Sequence, residues 1–157
     1  MQFVHKSTRL SCDLGRAFRF LTNPDMINKW SGYTANVKLK ADGPYVLQSE
    51  DGLDTSGSFI VSFEREKLLH VQWKDTFNPK ECFDLRIQLM PCKSDTEYCS
   101  ELHLMFKHSE RHLTEDESKF YAEYFELMFE GLRKYQNKDW VIQDSDLSMS
   151  YLTGSKL

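Results

Sequence analysis

"TEDESKFYAEYFELMFEGLRKYQ", Thr114 to Gln136, is the stretch whose reading decides the fold. Thr114 with Glu117 three residues on is a capping box, in which each side chain answers the other residue's free backbone N–H. At about 100° per residue, Tyr121, Tyr124, Phe125, Met128, Leu132 and Tyr135 fall on one side of a helix. Ala122, Glu123, Glu126, Glu130, Arg133 and Lys134 fall on the other. The spacing predicts one long amphipathic helix ending near Gln136 or Asn137. Such a stripe must be buried against a broad apolar partner, which the rest of the chain has to supply.

Upstream the period is two. Tyr33, Ala35, Val37 and Leu39 alternate with polar residues, "ADGP" turns, and "YVLQS" reads as a short strand. After the polar loop "EDGLDTSG", four further runs alternate: Phe59, Val61, Phe63; Leu69, Val71, Trp73; Phe83, Leu85, Ile87, Leu89; and Leu102, Leu104, Phe106. This is an antiparallel meander of about six strands with one apolar and one polar face. Before it stand a β-capable opening, "FVHKSTRL", and two short helices. In the first, Ser11 or Asp13 is the cap and Leu14, Phe18 and Leu21 form the stripe. In the second, "LTNPDMINKWSG", Asn23 is the N-cap and Pro24 takes the first helical position. Gly32 supplies the left-handed ending, and Met26, Ile27 and Trp30 share a face.

The bulk numbers fit one domain with a core: 157 residues, 40% hydrophobic, 28% charged and 13% aromatic. A net charge of −4 argues against non-specific nucleic-acid binding and against attraction to anionic membranes. No apolar run approaches the roughly 18 residues of a membrane span, and the opening residues lack the apolar core of an export signal. A cytoplasmic location is therefore expected, with Cys12, Cys82, Cys92 and Cys99 as reduced thiols. Cys92 and Cys99 flank a turn, which leaves a disulfide as the alternative.

A one-faced sheet followed by one amphipathic helix predicts an α+β fold. A curved antiparallel sheet would wrap the long C-terminal helix, with the two short helices between the first and second strands. The order resembles the helix-grip fold of the START-like (SRPBCC) superfamily, which includes the birch-pollen-allergen-like proteins. "FLTNPDMINKW" and "SGSFIVSFEREKLLHVQWKD" resemble its Aha-type branch, the activators of heat-shock-chaperone ATPase. The similarity spans roughly residues 3–135. Where branch members often place a Trp early in the last helix, this chain has "KFYAEYFELMFEGLRKY". The domain is read as residues 1–137, with 138–157 as an extension anchored by Trp140, Val141, Ile142 and Tyr151, or a frayed tail.

The resemblance implies a hydrophobic pocket between helix and sheet. The residues placed to line it are Trp30, Tyr45, Phe59, Phe63, Trp73, Phe83, Leu104, Phe106, Tyr121, Tyr124, Phe125 and Met128. Hydroxyls of Tyr121, Tyr124 or Tyr45 would orient a ligand. The same aromatics would equally make a solid core. The leading reading is a non-enzymatic module for a small apolar or amphipathic ligand. The alternatives are a chaperone-associated interaction factor and, third, a cyclase- or dehydratase-type enzyme. No cofactor is expected, and a homodimer is left open. His108 and His112 in "HSERH" have no third ligand at metal spacing and read as a solvated loop. His70, His103, Asp84 and Arg86 read as pairs on the exposed sheet face. "EDGLDTSG" lacks both calcium-loop and phosphate-loop spacing and reads as a hairpin loop.

Overall fold

The computed structural model describes residues 3–50, 52–92 and 99–146, with the backbone alone for 137–146. Strand β1 (Val4–Leu10) leads into helices α1 (Leu14–Thr22) and α2 (Pro24–Ser31). Strands β2 (Thr34–Val37), β3 (Tyr45–Gln48), β4 (Phe59–Glu64), β5 (Leu68–Trp73), β6 (Phe83–Pro91) and β7 (Ser100–His108) follow, then helix α3 (Glu115–Asp146). Five strands form an antiparallel sheet in the order β1-β7-β6-β5-β4. β2 and β3 form a ribbon joined to β4 at a Pro44–Phe59 bridge and by Ile60 N–H donating to Gly43 O at 2.8 Å. The inward residues of β5, β6 and β7 are buried with Tyr121, Phe125, Phe129 and Leu132 of α3 in one core. This is the expected helix-grip architecture.

The capping box forms as read. Thr114 N–H donates to Glu117 Oε1 at 2.8 Å and Glu117 N–H to Thr114 Oγ1 at 3.1 Å. α3 also lies along the edge of β1, where Arg133 Nη1 donates to Thr8 Oγ1 at 2.7 Å and Gln136 Oε1 accepts Ser11 N–H at 2.8 Å.

The α1–α2 corner explains its own composition. Asp13 caps α1, and Asn23 caps α2 by accepting Met26 N–H at 3.1 Å. Gly32 ends α2 at φ 78°, a conformation in which a Cβ would be strained. Pro24 has no N–H, so the Phe20 carbonyl four residues earlier loses its natural partner. Trp30 Nε1 donates to that carbonyl at 2.7 Å, and Tyr45 Oη donates to the next one, Leu21 O, at 2.6 Å. Two aromatic side chains thus complete a helix end that turns its carbonyls inward. α3 comes so close to α2 that a Cβ on Gly131 would lie 2.9 Å from Trp30 O. A glycine in mid-helix, which costs about 1 kcal/mol against alanine, is explained by that approach.

Several expectations are corrected. In β4 the register shifts between Ile60 and Ser62. Ile60 is fully buried and Val61 is 38% exposed, while Phe59 and Phe63 are half-buried. Strict alternation had placed Phe59, Val61 and Phe63 inward together. α3 runs on to Asp146 rather than ending near Gln136 or Asn137. Trp140, Val141 and Ile142 fall in its backbone-only turns, and Tyr151 lies outside the described residues. Within "EDGLDTSG", Leu53 and Thr55 are buried, and Thr55 Oγ1 accepts Leu47 N–H at 2.8 Å. Cys92 and Cys99 are joined by a disulfide, while Cys12 and Cys82 are free. The two bridged residues face each other at the end of the β6–β7 ladder with Cα atoms 5.3 Å apart, a normal disulfide distance.

Candidate functional site

Between α3 and the sheet lies a void of about 30 Å³. Trp30, Tyr45, Trp73, Leu104, Phe125 and Met128 line it, as placed from the sequence, together with Leu21, Leu47, Leu85, Ile87 and Phe129. Phe129 escaped the helical-face reading because it sits at the margin of the stripe. Phe83, Phe106 and Tyr121 are buried beside the void in a stack of their own, with Phe83 and Phe106 rings 5.1 Å apart and Phe106 and Tyr121 rings 4.5 Å apart. Tyr124 is half-buried against Phe125 and Phe120 and is not among the lining residues. Phe59 and Phe63 are not among the lining residues.

A small-molecule pocket usually measures roughly 300–1,000 Å³ and presents free polar groups. Most polar atoms of this interior are already engaged. Trp30 Nε1 and Tyr45 Oη complete α1. Asp75, buried at the head of "DTFN", accepts Trp73 Nε1 and Tyr121 Oη, both at 2.7 Å, on one carboxylate oxygen. Its other oxygen accepts the backbone N–H groups of Phe77 and Asn78 at 3.0 and 3.1 Å. A buried carboxylate is tolerated only when its oxygens are so occupied. The sequence reading missed Asp75 because nothing local marks an acid in a polar loop as buried. Burial raises the Tyr45 phenol; burial and then the bond to Asp75 raise Tyr121. Tyr124 is raised by burial and then by Tyr33 beside it.

The polar side of the sheet holds a wider groove of about 730 Å³ walled by His5, His103, Met105, Met90, Arg86 and Glu66 among others. Arg86 and Lys67 there are balanced by Glu64 and Glu66. His70 Nε2 lies 3.0 Å from Asp84 Oδ1, a cross-strand pair of the kind expected, whereas His103 Nε2 lies 3.2 Å from Glu101 Oε1 of its own strand. Among the described residues no Ser, Thr or Cys side chain hydrogen-bonds to His70, so the pair lacks a nucleophile.

His108 departs from its expectation. It is the buried last residue of β7, not part of a solvated loop. Its Nδ1 accepts Glu110 N–H at 3.0 Å, which places the ring proton on Nε2, 2.8 Å from Glu81 Oε2. Glu81 also accepts Arg111 Nη2 at 2.7 Å, and Arg111 Nη1 reaches Glu117 Oε1 at 2.8 Å. The cluster fastens the start of α3 to the end of β7. Arg111 and the Thr114 backbone hold the Glu117 carboxyl down to about 2. His112 is exposed, and no group of metal ligands occurs among the described residues.

The family model "Activator of Hsp90 ATPase homolog 1-like protein" matches residues 11–137, most of the chain. The chain belongs to that family. Among solved structures it is similar to protein MLL2253 of Mesorhizobium loti, at 17% identity over 87% of this chain and 98% of that one, TM-score 0.69. It is similar to the Aha1 dimer of Colwellia psychrerythraea, at 15% identity over 85% and 94%, TM-score 0.68. An HSP90 activator of Plasmodium falciparum matches at 17% identity over 68% and 72%, TM-score 0.56. No curated protein sequence matches significantly. At these identities the structures speak for the fold. No described helix is long and apolar enough to cross a membrane.

Proposed function

We propose that this domain acts by binding other proteins, as an accessory factor that modulates the ATPase of a heat-shock chaperone. The observation that carries the reading is the filled interior. A void of about 30 Å³ has room for a water molecule or two, not for a ligand. Two of the three tyrosine hydroxyls expected to orient a ligand already serve the fold, through Leu21 O and Asp75. What is left to recognise is the outer surface. Family membership supplies the direction, since the family and one structural neighbour are described as activators of this chaperone ATPase. A self-associated form is part of the proposal, because the Colwellia neighbour is described as a dimer.

The small-ligand reading retains one feature in its favour: the buried Tyr124 hydroxyl lies beside Tyr33 but meets no good hydrogen-bond geometry among the described residues. It needs Trp30, Met128 or Tyr124 to move aside before anything larger than water enters.

The test is an ATP-hydrolysis assay of a heat-shock chaperone titrated with the purified chain, beside native mass spectrometry of the chain alone. A rate that rises and saturates near equimolar chain supports the proposal. An unchanged rate, with a co-purified small molecule in the native spectrum, would replace it with the ligand reading.

A further inference from the structure

The described surface carries one apolar ridge that packing does not explain. Phe77 is 53% exposed, Phe120 40% and Leu127 66%. The rings of Phe77 and Phe120 meet edge to face, with centroids 4.8 Å apart. Leu127 lies two turns further along α3, roughly 10 Å away at 1.5 Å per residue. Phe77 is held outward by the fold, because its backbone N–H is tied to the buried Asp75. An aromatic held on a buried anchor loses little freedom on binding.

Charge says what the ridge fits. Asp116, Phe120, Glu123, Leu127 and Glu130 follow one another at steps of four and three along one exposed face of α3. Glu130 is answered by Lys134 at 3.7 Å, and Glu126 alongside by Arg133 at 3.1 Å. Asp116 and Glu123 bracket Phe120 and have no ion pair among the described residues, and neighbouring Lys119 pairs with neither. A second copy in the same place would bring like charges together, and an anionic membrane would be repelled. A convex ridge is also the wrong shape to enclose a small molecule.

We propose that the Phe77–Phe120–Leu127 ridge docks the apolar face of a basic amphipathic helix belonging to a partner protein. The inference names the surface for the protein-binding role proposed above and rests on that reading. Apolar side chains of the partner pack on the ridge, and its flanking Lys or Arg residues meet Asp116 and Glu123.

The test uses a labelled synthetic helix with Leu at helical spacing and Lys on its flanks, followed by fluorescence anisotropy against the full chain. Binding is expected, weakening as salt rises. L127D and F77A, both at exposed positions, should weaken it about tenfold or more, and the double charge reversal D116K/E123K should move preference to a helix carrying Glu for Lys. Circular dichroism confirms that each variant is folded. Failure of the Lys helix to bind, or equal binding by L127D, overturns the proposal. Sedimentation that finds a dimer dissolved by L127D also overturns it, assigning the ridge to a second copy. The two readings fail separately: chaperone stimulation that survives L127D and F77A removes the ridge alone. Ridge-dependent helix binding without any stimulation removes the chaperone role alone.

Discussion

Trp30→Ala tests the account of the interior most directly. The indole is buried, borders the 30 Å³ void, and donates the hydrogen bond that completes α1 at Phe20 O. Truncating a buried Trp costs about 3–5 kcal/mol through lost transfer energy and the cavity left behind. For a chain of this length, that is a fall in melting temperature of roughly 6–20 °C. Trp30→Phe keeps a six-membered ring and removes the donor at a smaller loss of bulk than Trp30→Ala. Its expected cost is about 1–3 kcal/mol, the penalty for a buried carbonyl left without a partner. Pro24 has no N–H to take over, so the chain holds no local substitute. The void opened by Trp30→Ala, merged with the existing one, should approach the ~150 Å³ at which an apolar cavity binds benzene. Thermal and urea unfolding of the three proteins, with and without indole or benzene, measure all of this. Indole should recover part of the loss in Trp30→Ala and do nothing for the wild type. If Trp30→Phe costs under about 0.5 kcal/mol, below any plausible value for an unmet buried carbonyl, the helix-end argument is wrong. If indole also stabilises the wild type, the interior already admits ligands and the protein-binding proposal loses its main support.

The other predictions concern the polar supports. Asp75→Asn should destabilise by about 2–4 kcal/mol, because its amide NH₂ would face Trp73 Nε1 and Tyr121 Oη, two donors, whereas Tyr121→Phe should cost only about 1 kcal/mol. Denaturant midpoints that rank the two the other way would show that the carboxylate is not the hub. Glu117 has its folded-state pKa lowered to about 2 from 4.5, so its contribution is present above about pH 4.5 and disappears as pH falls toward 2. Solvent at the rim reduces that contribution to roughly 1–2 kcal/mol, and Glu117→Gln should flatten the stability profile across this acid window. Gly131→Ala should destabilise despite alanine's better helix propensity, since its Cβ would meet Trp30 O at 2.9 Å; a higher melting temperature would show that α2 yields freely. For Cys92 and Cys99, closing a loop this short is worth about 2–3 kcal/mol in the chain-entropy model, and intact mass with and without reductant should show the bridge.

Some of the molecule was legible and some was not, for identifiable reasons. β5, β6 and β7 alternate strictly, and their inward residues are the buried ones. The capping box and the Asn23–Pro24–Gly32 signals act through bonds of two to four residues and form as read. β4 defeated the same rule because one bulge sets Ile60 before it and Phe63 after it opposite the buried Val71 and Leu69, so Phe59 and Phe63 no longer share a face, and a bulge leaves no mark in composition. The Cys92–Cys99 bridge ran against an expectation based on compartment, whereas the ladder places the two residues face to face.

The candidate site was the harder problem, because lining and filling call for the same residues. A run of Trp, Tyr and Phe between sheet and helix is compatible with either. What separates the two is where the polar atoms of those rings go, and for both tyrosines the partner lies far away in sequence. Tyr45 bonds to Leu21 O, and Tyr121 to Asp75. Trp73 reaches Asp75 two residues on, and Trp30 had a clue in the sequence before it. A proline that begins one helix directly after another leaves the carbonyl four residues back without its N–H, and Phe20–Pro24 is such a pair. A donor on the buried face of the second helix is the nearest remedy, and within Met26, Ile27 and Trp30 only Trp30 carries a side-chain N–H. The corner therefore required its Trp for hydrogen-bonding reasons before any question of a pocket arose. The comparison of Trp30→Phe with Trp30→Ala separates that role from simple bulk.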